Sequence, residues 1–147
     1  MRKLALIAVV LAAVYFGGVE SGFIPSQQQH ADTSPGGGEQ ALAAAFENRR
    51  SDIQVQGSGR VSRILADDNK GNRHQRFIVQ LASGRTVLVA HNIDLADRVA
   101  SIKSGDPVEF NGEYEWNERG GVIHWTHRDP QGVHEAGWIK HGGRTYQ

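Results

Sequence analysis

Five of the seven histidines in this 147-residue chain, His91, His124, His127, His134 and His141, fall from residue 91 onward, beside Asp129 and Glu135. Neutral imidazole together with carboxylate is the ligand set of zinc and other divalent ions. The densest grouping, His124, His127, Asp129 and His134, would suit a metal-dependent hydrolase of the phosphodiesterase or nuclease kind if the four side chains converged. Spacing tells against convergence on an ordinary strand. Side chains alternate, so His124 and His127 point to opposite faces unless the strand ends or bulges at Thr126. His127 and Asp129 would share a face, with His134 returning to them from the following loop. The competing reading is a hydrogen-bonded histidine cluster that fixes a C-terminal hairpin against the rest of the domain.

A second set of polar residues could hold an anion. His74, Arg76 and Gln80 occupy one face of an alternating segment, and Arg60, Arg63 and Arg73 lie close by in sequence. The acid row Glu109, Glu113 and Glu115 offers those arginines partners across a sheet, and a solvated, charge-paired face is the simpler expectation. Trp116, Trp125, Trp138, Tyr114 and Tyr146 resemble a stacking platform for bases or sugar rings. Alternation instead places Tyr114 and Trp116 with Phe110, and Trp125 with Ile123, so core packing is expected of them. Asp67, Asp68, Asp94, Asp97, Arg76 and Arg98 are the residue types of nuclease chemistry, without the spacing of a nuclease motif. No Gly-x-Ser-x-Gly, phosphate-cradling glycine loop or His-Glu-x-x-His occurs, which leaves serine hydrolase, nucleoside-triphosphatase and zincin chemistry without support. No catalytic residue is assigned. The reading leans away from an enzyme, with no cofactor beyond the divalent metal considered above.

Charge sets further bounds. Lys and Arg number 16 against 16 Asp and Glu, and between Ser51 and Asp129 ten basic residues face eleven acidic ones. Counterion release from a polyanion needs a surplus of cations on one face, so nucleic acid is disfavoured as a partner. The chain contains no cysteine, which excludes disulfides, thiolate zinc sites, a thiol nucleophile and a lipid-modified cysteine.

The elements that must position these groups are legible from periodicity. Arg2 and Lys3 precede an apolar run from Leu4 to Val19, the order of a secretory signal peptide or a retained membrane anchor. Residues 20–50 read as a flexible linker, rich in Gln, Gly, Ser and Pro, that ends in a short helix over Glu39–Arg50 with Ala41, Leu42, Ala45 and Phe46 on its apolar stripe. A first strand, Ile53–Ala66, is interrupted by Gly57-Ser58-Gly59, a place for a bend. Arg73–Leu81 and Thr86–Asn92 follow as strands, then a short helix over Ile93–Ser101 with Asn92 or Asp94 as N-cap. Val108, Phe110, Gly112, Tyr114 and Trp116 face inward on strand four, and Val122–Arg128 forms strand five, stopped at Asp129-Pro130. Trp138–Lys140 then pairs with Arg144–Tyr146 across His141-Gly142-Gly143.

The expected fold class is all-β: a five-stranded OB-like β-barrel with a short helix between strands three and four, a C-terminal β-hairpin and an N-terminal helical signal or anchor. The corresponding division is 1–19, signal or anchor; 20–50, linker and helix; 51–129, barrel; and 130–147, hairpin extension. From Gly57 to Gln147 the chain also resembles a family of small bacterial envelope proteins known as a domain of unknown function and OB-fold-like. The resemblance rests on Gly59-Arg60-Val61, His74-Gln75-Arg76-Phe77, Val89-Ala90-His91-Asn92, Gly112-Glu113-Tyr114-Glu115-Trp116 and the run from Gly121 through His124-Trp125-Thr126-His127-Arg128-Asp129-Pro130 to His134, Gly137-Trp138 and Tyr146. It implies export and a compact β domain, and supplies no activity. The sequence thus points to a periplasmic or otherwise extracytoplasmic binding module for an envelope ligand or protein, with a possible N-terminal membrane tether.

Overall fold

The computed structural model describes residues 37–147; the signal or anchor expected over 1–19 and the linker over 20–36 lie outside the described residues. Within them run one helix, α1 (Gly37–Glu47), and seven strands: β1 (Ile53–Asp68), β2 (His74–Gln80), β3 (Thr86–Asn92), β4 (Pro107–Glu115), β5 (Val122–His124), β6 (Trp138–His141) and β7 (Arg144–Tyr146). Among the described residues no helix is long and apolar enough to cross a membrane.

The alternation read in the sequence decides which faces are buried. Gln75, Phe77 and Val79 on β2, Val87 and Val89 on β3, and Val108, Phe110 and Tyr114 on β4 are buried, while their neighbours along each strand are not. Ile123 of β5, Ile139 of β6 and Tyr146 of β7 complete the same core. Full burial of one such aliphatic or aromatic side chain contributes roughly 1.5–3 kcal/mol.

β1 closes the sheet on itself. Its first half, Ile53–Arg60, pairs antiparallel with β4, and from Arg60 onward it pairs with β2. The strand changes partner at the glycines, for a physical reason. A Cβ on Gly57 would stand 2.8 Å from Phe110 Cζ, and one on Gly59 would stand 2.3 Å from the Gln80 carbonyl oxygen. β3 then meets β5 in parallel, and β5 meets β4. The pairings therefore run in a ring, β1-β2-β3-β5-β4 and back to β1, within one seven-stranded sheet. The C-terminal hairpin belongs to that sheet, because β6 pairs with β4 through Glu109, Phe110 and Asn111. Its turn, Gly142-Gly143, has φ of 58° and 77°, the pair of positive angles that a two-residue type I′ hairpin demands.

α1 lays Leu42 and Ala45 on the core. It stops at Glu47, short of the expected Arg50, in a Schellman arrangement: Arg49 is left-handed at φ 51°, Arg49 N–H donates to Phe46 O and Arg50 N–H to Ala45 O. Trp116 closes this end, its Nε1 donating to Phe46 O at 3.0 Å with its ring stacked on Phe46.

Two expected elements are corrected. Ile93–Ser101 is not a helix but turns and extended loop. Asn92 does cap its start, Oδ1 accepting from Asp94 N–H and Leu95 N–H. The backbone groups that a helix would pair internally are taken by core side chains instead. Gln75 brackets Val99, accepting from its N–H and donating to its carbonyl, and Tyr146 Oη accepts from Ala100 N–H. Strand five ends at His124 rather than Arg128, because Trp125 is left-handed at φ 53° and Thr126 turns inward to bond His91. Trp125 consequently leaves the face of Ile123 and is not a core filling.

The hairpin's role in the core predicts that Ile139→Ala lowers unfolding free energy by about 2–5 kcal/mol, as read by denaturant titration. His141 Nε2 also donates to Asp106 Oδ2 at 2.8 Å. That bond from His141 is the chief cause holding Asp106 below the ordinary aspartate value of 3.8. A depressed carboxylate adds stability above its unfolded pKa and loses it as pH falls through its folded one. Protection of β6–β7 amides, taken relative to intrinsic exchange at each pH, should therefore fall once pH drops below 3.8, and D106N should abolish that dependence.

Candidate functional site

On β2 the alternation holds, with His74, Arg76 and Gln80 turned away from the core. Their partners separate them. At one end, Arg73 donates to Asp94 from both its backbone N–H and its Nε, at 2.7 and 2.8 Å. The backbone bond first and the guanidinium second lower the Asp94 pKa. His74 Nδ1 meets Asn72 O at 2.8 Å, and Arg76 Nε donates to Ala66 O. Arg63, on the outward side opposite Ile78, is exposed. At the other end Arg60 stands opposite Gln80, and its Nη1 donates to Gly105 O at 3.1 Å. A carbonyl leaves the guanidinium charge unneutralised.

The carboxylates weighed for nuclease chemistry are also dispersed. Asp67 pairs with Arg98 through both carboxylate oxygens, a bond that lowers its pKa. Asp97 pairs with Arg144 at 3.1 Å, and Asp68 accepts from Lys70 N–H. Among the described residues no salt bridge joins Arg60, Arg63, Arg73 or Arg76 to Glu109, Glu113 or Glu115, so the expected cross-sheet pairing is not formed.

The histidines take three different roles. His91 is wholly buried, with Nε2 at 2.9 Å from Asp97 O and Nδ1 at 2.7 Å from Thr126 Oγ1. The carbonyl accepts, so Nε2 carries the proton and the threonine hydroxyl donates to Nδ1. Burial lowers the pKa against the raising effect of the carbonyl, which keeps the ring neutral. His127 is buried with Nδ1 on Arg128 O at 2.7 Å. Asp129 spends its carboxylate on the backbone N–H groups of Gln131, Val133 and His134, which lower its pKa. His127 and Asp129 are thus engaged in shaping the loop, and the quartet His124, His127, Asp129 and His134 does not assemble.

His124 and His134 instead converge on Glu113. Glu113 is the register partner of His124 across β4 and β5. His134 Nε2 bonds Glu113 Oε2, its Nδ1 bonds Glu135 O at 2.7 Å, and its ring stacks on Trp125 with centroids 4.1 Å apart. Both ring nitrogens face acceptors. Desolvation pulls the His134 pKa down, and the bonds and charges of Glu113, Glu135 O and Asp129 outweigh it, leaving the pKa raised. His124 Nε2 lies 3.4 Å from Glu115 Oε1 and 4.0 Å from Glu113 Oε1. Among the described residues, Glu113, Glu115 and His124 are the group whose ligand atoms cluster closely enough to hold a metal ion. Sequence reasoning placed the two glutamates on one outward face and missed their partner, since the register of β4 against β5 is a long-range property. The left-handed Trp125 that brings His134 back is equally invisible to alternation.

A groove of about 1040 Å³ opens elsewhere, between the meeting of β1 and β2 and the β6–β7 hairpin. Arg60, Gln80, Lys140, His141 and Arg144 line it, with Glu109 the acidic side chain on its wall. No Phe, Tyr or Trp side chain among the described residues lines it. Two of the expected ligand-binding residues, Arg60 and Gln80, belong to this groove, while Arg73, His74 and Arg76 do not.

A family model described as "Protein of unknown function (DUF3465)" matches residues 27–147. No curated protein matches the chain.

The neutral, internal His91 generates a pH prediction. Its folded pKa lies below the ordinary 6.5, so the unfolded chain takes up protons first as pH falls. Stability present above 6.5 should decline below it. A His91 ring resonance that titrates at or above the ordinary value would contradict the assigned packing.

Proposed function

The chain belongs to the DUF3465 family, and we propose that it is an exported, non-enzymatic binding module built on an OB-like barrel, with the groove beside the C-terminal hairpin as its ligand surface. The ring order β1-β2-β3-β5-β4, closed by β1 against β4, supports the OB-like reading, and ligands of such barrels lie on the sheet face and its bordering loops. Export rests on the charged-then-apolar order of Arg2, Lys3 and Leu4 to Val19.

The observation that carries the reading is the charge of the groove. Among the described residues, Arg60, Lys140 and Arg144 line it against the single carboxylate of Glu109. Arg60 is held by a carbonyl, Lys140 lies over the Trp138 ring at 4.4 Å, and the Arg144 pair with Asp97 is exposed. An exposed pair is worth little and exchanges readily with solvent or ligand. Three cations spread along an open groove match an extended anionic ligand. The lack of Phe, Tyr or Trp in its described lining favours an acidic glycan of the envelope over single-stranded nucleic acid, which binds largely through base stacking on such rings.

The test uses the full chain in detergent micelles with a uronate-bearing oligosaccharide, a neutral oligosaccharide of equal length and a single-stranded oligonucleotide. The uronate should bind, weaken with added salt, and lose affinity by about tenfold or more in R60A and K140A, one charge-assisted contact being worth about 1.5–3 kcal/mol. Equal binding of the neutral glycan, or no effect of either substitution, would refute the reading.

A further inference from the structure

The Glu113, Glu115 and His124 cluster plays no part in the groove. Glu113 and Glu115 stand two residues apart on the outward side of β4, and His124 ends β5 opposite Glu113. Two neighbouring carboxylates repel unless a cation stands between them. Among the described residues no arginine or lysine forms a salt bridge with Glu113 or Glu115; the partner on Glu113 Oε2 is His134, which leaves Oε1 and Glu115 to His124.

His124 adds a separate observation. Its Nε2 is shielded from solvent and makes no hydrogen bond, though Glu115 Oε1 is 3.4 Å away. A buried ring nitrogen without a partner costs free energy. Its environment is two carboxylate oxygens, and the three ligand atoms lie within 4.8 Å of one another. Ligands at ordinary zinc bond lengths in a tetrahedron stand about 3.4 Å apart, so a small inward movement of Glu113 and Glu115 would complete the geometry. Glu115 is half-exposed, with 51% of its side chain open to solvent, which leaves room for a further ligand from solution.

We propose that Glu113 Oε1, Glu115 Oε1 and His124 Nε2 form a binding site for a divalent ion of the zinc class, and that His134 is a positioning residue which holds Glu113 through its other oxygen. An imidazole ligand selects borderline ions such as Zn²⁺ over Mg²⁺ or Ca²⁺, which take oxygen ligands. The bond from His134 to Glu113 Oε2 leaves Oε1 turned toward His124, the arrangement by which outer partners orient metal-bound side chains. Stacking on Trp125 holds the His134 ring in place.

The test is Zn²⁺ titration of the chelator-stripped full chain in detergent micelles, with affinity measured against a competing chelator and the imidazole nitrogens followed by NMR. One equivalent should bind, shifting His124 Nε2, and excess Mg²⁺ or Ca²⁺ should not displace it. H134A should weaken binding by about 10–100-fold, with part recovered in H134Q, whose amide still donates to Glu113. H124A and E115Q should weaken it further, while H74A, on the outward side of β2, leaves it unchanged. E115Q alters only a half-exposed side chain and serves if H124A fails to fold. Failure to retain zinc, an unmoved His124 Nε2, or wild-type affinity in E115Q would overturn the proposal and leave His124 as a plain ion-pair partner of the two glutamates.

Discussion

Every backbone N–H and C=O along β4 needs a partner, and the two edges of that strand satisfy the demand in different ways. One edge is paired along its length with β1. The other is divided: β5 takes Glu113–Glu115 and β6 takes Glu109–Asn111. β5 therefore runs for only three residues before the edge is claimed by another strand. The chain must turn away there, and the left-handed Trp125 is the turn. From this division follow the inward Thr126, its bond to His91, the return of His134 over Trp125, and the seating of the C-terminal hairpin against Phe110.

The same division separates two surfaces of opposite character. Toward Pro107, β4 presents Glu109 to the hairpin, where Arg60, Lys140 and Arg144 make the groove basic. Toward Glu115 it presents two carboxylates to His124 and His134. A chain with no net charge is thus strongly polarised locally, which overall composition cannot reveal. Buried His91 belongs to neither surface. It is a neutral link between the end of β3, the loop at Asp97 and the turn at Thr126. Its hydrogen bonds fix the base of the turn from which the histidine and glutamate cluster is built.

Much of this architecture was legible in the residues. Period-two alternation identified β2 and β4 and their buried sides, β-branched and aliphatic content marked β3, the glycines marked where β1 changes partner, and the two glycines after His141 marked the hairpin. These signals are local, since a pleated backbone sends successive side chains to opposite faces wherever the strand lies. The expected helix over Ile93–Ser101 failed for the converse reason. Leu95, Val99 and Ile102 stand at helical spacing in the sequence, yet Gln75 and Tyr146, distant in sequence, take up backbone groups of Val99 and Ala100.

The site divides along the same line. Residue types were enough to single out histidines beside carboxylates, and cations near strand two, as the places where chemistry is possible. Which histidine meets which carboxylate was decided by the tertiary structure alone. The register of β5 on β4 placed Glu113 opposite His124, one left-handed residue carried His134 to the same carboxylate, and Asp129 was drawn into its own loop. Side-chain character and strand periodicity are carried by neighbouring residues and can be read along the chain. Strand register and the course of a turn arise from contacts between residues far apart in it, and only folding brings those together.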